Sequence, residues 1–220
     1  MPSEIVMMQE GMAELPERSA LQYFPEVIRY NDLKRASAGC RGCDLYKYAT
    51  QTVFGEGPQE ATLLFVGEQP GDEEDLKGSP FVGPAGRLFD KALAEAAIDR
   101  DSVYVTNVVK HFKWIPKGKR RLHQKPRASE VEACLPWFAA ELEVVKPRIL
   151  VCLGATASQA LLGPEFRVTR DRGKWLDSPM SERMLATVHP SSILRARDSE
   201  SRETMYAEFV NDLRVVQAEL

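Results

Sequence analysis

The chain has no apolar run long enough to cross a membrane. Such a span needs about 20 consecutive apolar residues, and runs such as ATLLFV at 61–66 are far shorter. The N-terminus, MPSEIVMMQEGM, lacks the basic flank and apolar core of a signal peptide. We therefore expect a cytoplasmic protein (bacterial cytosol or nucleoid) without membrane contact. In that compartment the four cysteines are expected to be thiols or metal ligands rather than disulfides.

Acidic residues are missing between Asp101 and Glu130, although the whole chain has a net charge of −3. This segment carries eight basic residues: Lys110, Lys113, Lys117, Lys119, Arg120, Arg121, Lys125 and Arg127. The remainder of the chain therefore has a net charge of −11 (−3 − 8). A concentrated basic segment on an acidic body indicates a binding surface for a polyanion. The alternative is a solvated loop with no partner.

The pattern along the chain predicts an α/β fold. At 220 residues, 44% of them hydrophobic, we expect a loosely ordered N-terminal arm over 1–25 and one domain over 26–220. Helical patterns follow four β-rich runs, which are Thr62–Val66, Val103–Val105, Ile149–Leu153 and Met184–Val188. This alternation predicts a three-layer αβα arrangement around a four-stranded, mostly parallel sheet. Ser129 and Glu132 are predicted to form a capping box for one helix.

The turn after the first strand, Gly67–Gly86, is rich in Gly and Pro and leads into a helical pattern. A strand, a turn of this kind and a helix form a unit whose ligands bind at the turn. One interpretation is therefore a phosphate or nucleotide loop. Against a Walker-type loop, no GKS or GKT sequence follows the glycines.

Polar side chains follow the predicted strands where each strand ends. These residues are Glu68, Gln69, Asn107, His189, Ser191 and Ser192. Since the carboxyl ends of parallel strands share one edge of a sheet, the pattern predicts a polar cleft there. Each residue alone has a simpler interpretation, as a helix cap, a turn former or a structural histidine. An Asn amide with the aromatic Phe81 nearby suits a flat heterocycle such as an extruded nucleobase, with the basic segment beside it holding phosphates.

From Cys40 to about Leu194 the chain resembles the iron–sulfur uracil-DNA glycosylases usually called family 4. The matching motifs are Cys40-x-x-Cys43, TVFGEGP at 52–58, VGEQPGDEEDLKGSPFVGPAG at 66–86, VYVTNVVK at 103–110 and HPSSILR at 189–195. Two features resemble the UdgX branch more closely. Gln69 stands where family 4 proper has Gly or Ala, and KRRLH at 119–123 differs from that branch's KRRIH loop only by Leu122.

The resemblance implies the uracil-DNA glycosylase fold and the excision of uracil from single- or double-stranded DNA by a monomer. It implies that Phe81 stacks on uracil, that Asn107 reads the amide edge and that His189 lies near the carbonyl that gains charge. It places Glu68, Gln69 and Asp72 at the pocket floor and in its proton relay. The DNA contacts that we expect are Lys119, Arg120, Arg121, Ser191, Ser192 and Arg195.

In the UdgX branch the residue that corresponds to His123 is a nucleophile that captures the deoxyribose C1′ after uracil departs. The resemblance therefore implies covalent self-trapping on the abasic site. A neutral imidazole is a competent nucleophile toward an oxocarbenium-like sugar, and the three preceding basic residues disfavour its protonation. Two alternatives stay open: a conventional glycosylase that turns over, in which His123 contacts phosphate, and a non-enzymatic nucleic-acid-binding module.

The resemblance also implies a [4Fe–4S] cluster. Its ligands would be Cys40, Cys43, His111 and Cys134, because the UdgX branch has His where family 4 proper has a further Cys. Cys152 lies inside a strand predicted to be buried on both faces, where a Cys is ordinary core, so it is expected to be a bystander. The ligand types alone would also suit zinc.

Overall fold

The computed structural model describes residues 18–220 and contains a five-stranded sheet. Numbered in chain order, its strands are β1 (Leu63–Gly67), β2 (Tyr104–Asn107), β5 (Ile149–Leu153), β6 (Trp175–Leu176) and β7 (Arg183–Thr187). The order is β2-β1-β5-β7-β6, and all neighbours are parallel except the antiparallel pair β6–β7. The predicted α/β class with a mostly parallel sheet is confirmed. The short edge strand β6 is an addition to the four strands predicted.

Helices cover both faces of this sheet. They are α1 (Tyr30–Ser37), α2 (Asp72–Lys77), α3 (Pro84–Glu95), α4 (Ala128–Val145), α5 (Ala155–Leu162), α6 (Val168–Asp171), α7 (Pro190–Leu194) and α8 (Ser199–Gln217). Alternate residues of β1 point to opposite faces. Leu64 therefore packs in one core with Trp137 of α4, whereas Phe65 packs in the other with Phe89 of α3 and Phe209 of α8.

The basic segment forms a hairpin, where the sequence analysis expected a loop. Its strands are β3 (Trp114–Lys117) and β4 (Arg120–His123), joined by a two-residue turn that begins at Gly118. Gly118 has φ +59°, a conformation that favours glycine and occurs at the first position of type II′ turns. The pairing places the side chains of Trp114, Pro116, Arg121 and His123 on one face, and those of Ile115, Lys117, Arg120 and Leu122 on the other.

The predicted N-terminal arm lies mostly outside the described residues, because the structure describes the chain from residue 18 onward. Of the remainder, Ala20–Tyr23 forms a 3-10 turn with Ala20 fully buried. Phe24 stacks on Trp137 at 4.6 Å between ring centroids. The boundary at residue 26 stays a prediction. No helix within residues 18–220 combines the length and the apolar character needed to cross a membrane.

Candidate active site

Three of the predicted pocket residues converge on Gly67, the last residue of β1. A Cβ atom added to Gly67 would lie 2.4 Å from Asn107 Oδ1, 3.0 Å from Phe81 Cζ and 3.5 Å from His189 Nε2. Asn107 is opposite Gly67 in the parallel pairing of β1 with β2. The absence of a side chain at Gly67 therefore leaves a space bounded by a carboxamide, an aromatic ring and an imidazole.

Phe81 is held in an uncommon backbone conformation. Its φ is +57°, which is unfavourable for a residue with a side chain and is characteristic of strained positions at functional sites. Gly86 permits this arrangement, because a Cβ there would lie only 1.7 Å from the Phe81 carbonyl oxygen. The Phe81 ring is stacked relative to the His189 ring, with 6.1 Å between centroids and 29° between planes. It therefore presents an aromatic face at the pocket.

His189 is fixed as a neutral hydrogen-bond donor. Burial lowers its pKa to about 4, and the nearby charge of Glu68 only partly offsets this effect. The backbone N–H of Ser191 donates to His189 Nδ1 at 3.1 Å, so the proton of the neutral ring lies on Nε2. Nε2 is the ring atom that lies toward Gly67 and the Asn107 carboxamide. The imidazole can therefore donate a hydrogen bond to an oxygen bound in the pocket.

Glu68 is shared between the pocket and the hairpin. Its Oε1 lies 3.2 Å from His123 Nε2, and the Thr156 hydroxyl donates to its Oε2. Burial acts to raise the pKa of Glu68, but these two hydrogen bonds and the nearby imidazoles outweigh burial and lower it. The carboxylate is therefore ionised at neutral pH. Sequence reasoning missed Thr156, although it lies three residues after the end of β5 and so at the predicted ligand-binding edge.

Gln69 connects the body of the protein to the two ends of the hairpin. Its Nε2 donates to the carbonyl oxygens of Lys113 at 3.3 Å and Gln124 at 3.1 Å. Its Oε1 accepts a bond of 3.2 Å from the Lys113 backbone N–H. The carboxamide is thus used by the residues that flank β3 and β4. These bonds hold the strand that carries His123, and the uracil-binding role of Gln69 stays a prediction.

The predicted roles of Asp72 and Arg121 also differ from their observed contacts. Arg121 forms ion pairs with Asp72 and Asp75, and its side chain is 19% exposed. The guanidinium also lies over the rings of Phe112 and Trp114. Arg121 is therefore already paired, which leaves its predicted phosphate contact without support. Asp72, predicted to lie at the pocket floor, anchors the hairpin through this ion pair, and its place in the pocket stays a prediction.

The remaining predicted DNA contacts fall into two groups. Lys119 and Arg120 are exposed at the tip of the hairpin, where a phosphate could reach them. Ser191 and Ser192 surround His189, since the Ser191 hydroxyl lies 2.8 Å from Nδ1 and the Ser192 hydroxyl donates to the His189 carbonyl oxygen. Arg195 is the C-cap of α7, and its charge helps to lower the pKa of His189, although burial has the larger effect.

The four predicted cluster ligands lie on segments that meet beside α4. Cys40, Cys43, His111 and Cys134 are all at least 92% buried. The Lys110 backbone N–H donates to Cys134 Sγ at 3.2 Å, which brings the neighbour of His111 against α4. Burial raises the pKa of the Cys134 thiol, and the nearby Cys43 and Cys40 raise it further. His111 Nδ1 is buried without a hydrogen-bond partner, as expected for a ligand atom.

A single metal ion does not fit this group as it stands. Across residues 18–220, no set of three or more His, Cys, Asp or Glu side chains is placed to hold one ion. A tetrahedral zinc site needs sulfur atoms roughly 3.8 Å apart, given a Zn–S bond of about 2.3 Å. Cysteine thiolates are the usual ligands of iron–sulfur clusters, so three thiols and an unpaired imidazole are chemically compatible with that kind of group. For Cys152 on β5, burial raises the pKa of the thiol.

Comparison with known proteins agrees with this geometry. A family model described as the uracil DNA glycosylase superfamily matches residues 54–214. A Type-4 uracil-DNA glycosylase of Archaeoglobus fulgidus is 39% identical over 171 residues, which is 74% of this chain and 82% of the relative. One from Thermotoga maritima is 39% identical over 164 residues with the same coverage. One from Pyrobaculum aerophilum is 35% identical over 181 residues, or 79% of this chain and 86% of the relative.

Proposed function

This chain belongs to the uracil DNA glycosylase superfamily, and from that membership we propose that it excises uracil from DNA and then becomes covalently attached to the abasic site. The observation that carries the second step is the pairing of His123 Nε2 with Glu68 Oε1 at 3.2 Å. It places an imidazole and an ionised carboxylate beside the pocket over Gly67. A conventional glycosylase needs no nucleophile of its own at this place.

Uracil, rotated out of the DNA, enters the space above Gly67. The Asn107 carboxamide can both donate to and accept from its amide edge, and the Phe81 ring covers its face. As the bond between C1′ and N1 breaks, its electron pair leaves with uracil and the sugar becomes oxocarbenium-like. The neutral His189 donates from Nε2 to the oxygen on which charge develops.

The capture step uses the imidazole that Glu68 orients. With the Nε2 proton donated to Glu68, the other nitrogen of neutral His123 holds a lone pair. This lone pair forms the bond to C1′, which makes the ring cationic. Glu68 then accepts the Nε2 proton, so the product is a neutral alkylated imidazole and a protonated carboxyl. Gln69 supports the step by holding the hairpin that carries His123.

The DNA backbone is held outside the pocket. Lys119 and Arg120 at the hairpin tip supply positive charge with no acidic neighbour within the hairpin. Arg195, Ser191 and Ser192 lie on or beside α7, close to His189, and we assign them to the phosphates that flank the uracil nucleotide. Both single- and double-stranded DNA are candidate substrates, bound by a monomer in the cytoplasm.

Cys40, Cys43, His111 and Cys134 would hold a [4Fe–4S] cluster. The support is the burial of all four side chains and the unpartnered Nδ1 of His111. When bound, such a cluster supplies a crosslink between the segment after β2 and α4 rather than a catalytic group. The residues around Gly67 carry out the reaction without it.

The test is to incubate the protein with a uracil-containing oligonucleotide, denature in hot detergent and map any crosslinked peptide by mass. We expect a stable adduct on the peptide that contains His123, with one uracil released per adduct. A thymine oligonucleotide is the control and should give none. Catalytic uracil release without an adduct would leave a conventional glycosylase, and tight binding without any release would leave a binding module.

The variant His123→Ser completes this test. It removes the nucleophile but leaves the pocket over Gly67 intact, so water can react with the sugar instead. We expect no adduct and continued, multiple-turnover release of uracil. An adduct of wild-type yield in this variant would exclude His123 as the point of attachment.

A further inference from the structure

A fully buried ion pair lies directly behind the pocket, on the α4 side of the sheet. The side chains of Lys110 and Glu141 are both 0% exposed and contact each other. Lys110 Nζ also donates to the backbone carbonyl oxygen of Asn107 and to Thr106 Oγ1, each at 2.7 Å. The buried charge therefore touches the backbone of the residue whose side chain faces Gly67.

Glu141 connects this end of β2 to its surroundings. Besides Lys110, its carboxylate accepts hydrogen bonds from the Thr106 hydroxyl at 2.8 Å, the Tyr104 hydroxyl at 3.1 Å and the Gly55 backbone N–H at 2.7 Å. Both charges are thus fully hydrogen-bonded, as buried charges must be. Glu141 and Cys134 are seven residues apart on α4, which places them on the same face of the helix.

That face of α4 contacts Lys110 through both its backbone and its side chain. Cys134 Sγ accepts from the Lys110 backbone N–H at 3.2 Å, and Glu141 accepts from its side chain. The Lys110 carbonyl oxygen in turn accepts from the Val53 N–H at 2.8 Å. The segment between Asn107 and Lys110 is therefore fixed through backbone and side chain together.

Stability alone does not account for such a pair. Removing two charges from water is costly, and apolar side chains of similar volume often stabilise a protein equally well or better. What apolar residues cannot supply is a directed bond to the Asn107 carbonyl oxygen. An Asn side chain has few rotatable bonds, so the direction of its carboxamide follows from the position of its backbone.

We propose that Lys110 and Glu141 are positioning residues that hold Asn107 in the orientation that reads uracil. The inference rests on the proposed function of the pocket. Neither residue contacts the base. They fix the end of β2 so that Asn107 Oδ1 lies above Gly67, and they link that end to the helix that carries Cys134.

The experiment compares folding with uracil release in the double variant Lys110→Met/Glu141→Leu. The apolar pair should still fold, because no uncompensated charge remains, but its melting temperature should fall because Gly55, Tyr104 and Thr106 lose their buried acceptor. Single-turnover uracil release should also fall by roughly tenfold to a hundredfold, as expected when a recognition group is misplaced. Release at the wild-type rate in a folded double variant would overturn the proposal. Absence of release by the wild type would instead refute the proposed function.

Adding Asn107→Ala tests whether the pair acts through Asn107. If it does, the triple variant releases uracil no more slowly than Asn107→Ala alone, because the positioned group is already gone. Losses that multiply would overturn the proposal. Tyr104→Phe is the matched control: it removes a hydrogen bond to Glu141 but leaves the Asn107 contact, so uracil release should be unchanged.

A second variant serves if the double variant does not fold. Thr106→Val keeps the volume and the ion pair, but it removes the hydroxyl that bonds both charges. We expect a smaller decrease in the rate of uracil release than in the double variant. In the Asn107→Ala background Thr106→Val should cause no further decrease. A loss that persists in full on the Asn107→Ala background would contradict the proposal.

Discussion

At the residue scale, Gly67 has the most direct consequence for the pocket. The substitution Gly67→Ala would place a methyl group 2.4 Å from Asn107 Oδ1, which is far below any normal contact. We expect uracil release to fall at least a hundredfold, because the methyl group occupies the space of the base and displaces the Asn107 carboxamide that recognises it. Gly39→Ala is the control, since its Cβ would meet only the Ala36 carbonyl oxygen at an ordinary 3.7 Å. Normal release by Gly67→Ala would show that uracil binds elsewhere.

His189 leads to a prediction about pH. Burial lowers its pKa to about 4, so the ring stays neutral throughout the range in which an exposed histidine titrates. The rate of uracil release should therefore show no step near pH 6.5 that depends on His189. An NMR titration of the His189 ring provides the direct measurement. A transition near pH 6.5 would contradict the assignment of a neutral donor.

The same shift has a consequence for stability. As pH falls from 6.5 toward 5, the unfolded chain binds a proton at residue 189 and the folded chain does not. The free energy of unfolding should therefore decrease, with a slope for this group that rises from about 0.7 kcal/mol per pH unit at pH 6.5 toward a limit of about 1.4. In His189→Asn that component should be absent, so urea unfolding of the two proteins at pH 6.5 and 5 isolates it. An equal pH dependence in both would refute the assignment.

At the element scale, the hairpin divides its arginines between two faces. Arg120 faces outward, whereas Arg121 faces the body of the protein and pairs with Asp72 and Asp75. Arg120→Ala should weaken DNA binding and reduce the slope of log K against log salt by about 0.9, the value for one phosphate contact. Arg121→Ala should leave that slope unchanged but lower the yield of adduct, because the hairpin loses its anchor to α2.

Binding measured at several salt concentrations separates these two outcomes. Lys119→Ala is the matched control for an exposed cation and should behave like Arg120→Ala. A reduced salt slope in Arg121→Ala alone would mean that the hairpin changes orientation on DNA binding, so that Arg121 rather than Arg120 contacts phosphate.

The same hairpin shows what the sequence could and could not predict. The strands that lead to Glu68, Asn107 and His189 were predictable, since short apolar runs followed by polar residues have a strong local signal. The hairpin was missed because Pro116 and its basic residues are untypical of strands, although Gly118 marks the turn. The role of Gln69 depends on partners 44 and 55 residues away, for which no local pattern exists.

Helix α4 shows a smaller error of the same origin. The predicted capping box of Ser129 and Glu132 was wrong, and the observed one joins Arg127 and Glu130. The prediction relied on the usual preference for Ser at an N-cap. Here the Glu130 carboxylate accepts from the Arg127 backbone N–H at 2.6 Å and also pairs with Lys113. A contact from outside the helix thus selects a start two residues earlier than the local pattern indicated.

At the scale of the whole molecule, the proposed cluster would link parts of the chain that the sheet does not join. Cys40 and Cys43 precede β1, His111 follows β2, and Cys134 lies on α4. Without a cluster, His111 leaves an unpartnered buried nitrogen and three thiols lie in an apolar core. We therefore expect the metal-free protein to have a lower melting temperature, and a chelator under reducing conditions to reduce it progressively.

The ligand set can be tested independently of activity by measuring the iron and sulfide content of purified variants. His111→Ala and Cys134→Ser should lose iron, whereas Cys152→Ser should retain it, because Cys152 lies within strand β5 as ordinary core. Cys152→Ser places a hydroxyl in a fully buried strand, so some loss of stability is expected without loss of iron. Retention of iron by His111→Ala together with its loss in Cys152→Ser would reverse the assignment. Lys110 donates hydrogen bonds both to Cys134 Sγ and to the Asn107 carbonyl oxygen. Loss of the cluster should therefore also slow uracil release, and the slowing should be smaller in an Asn107→Ala background.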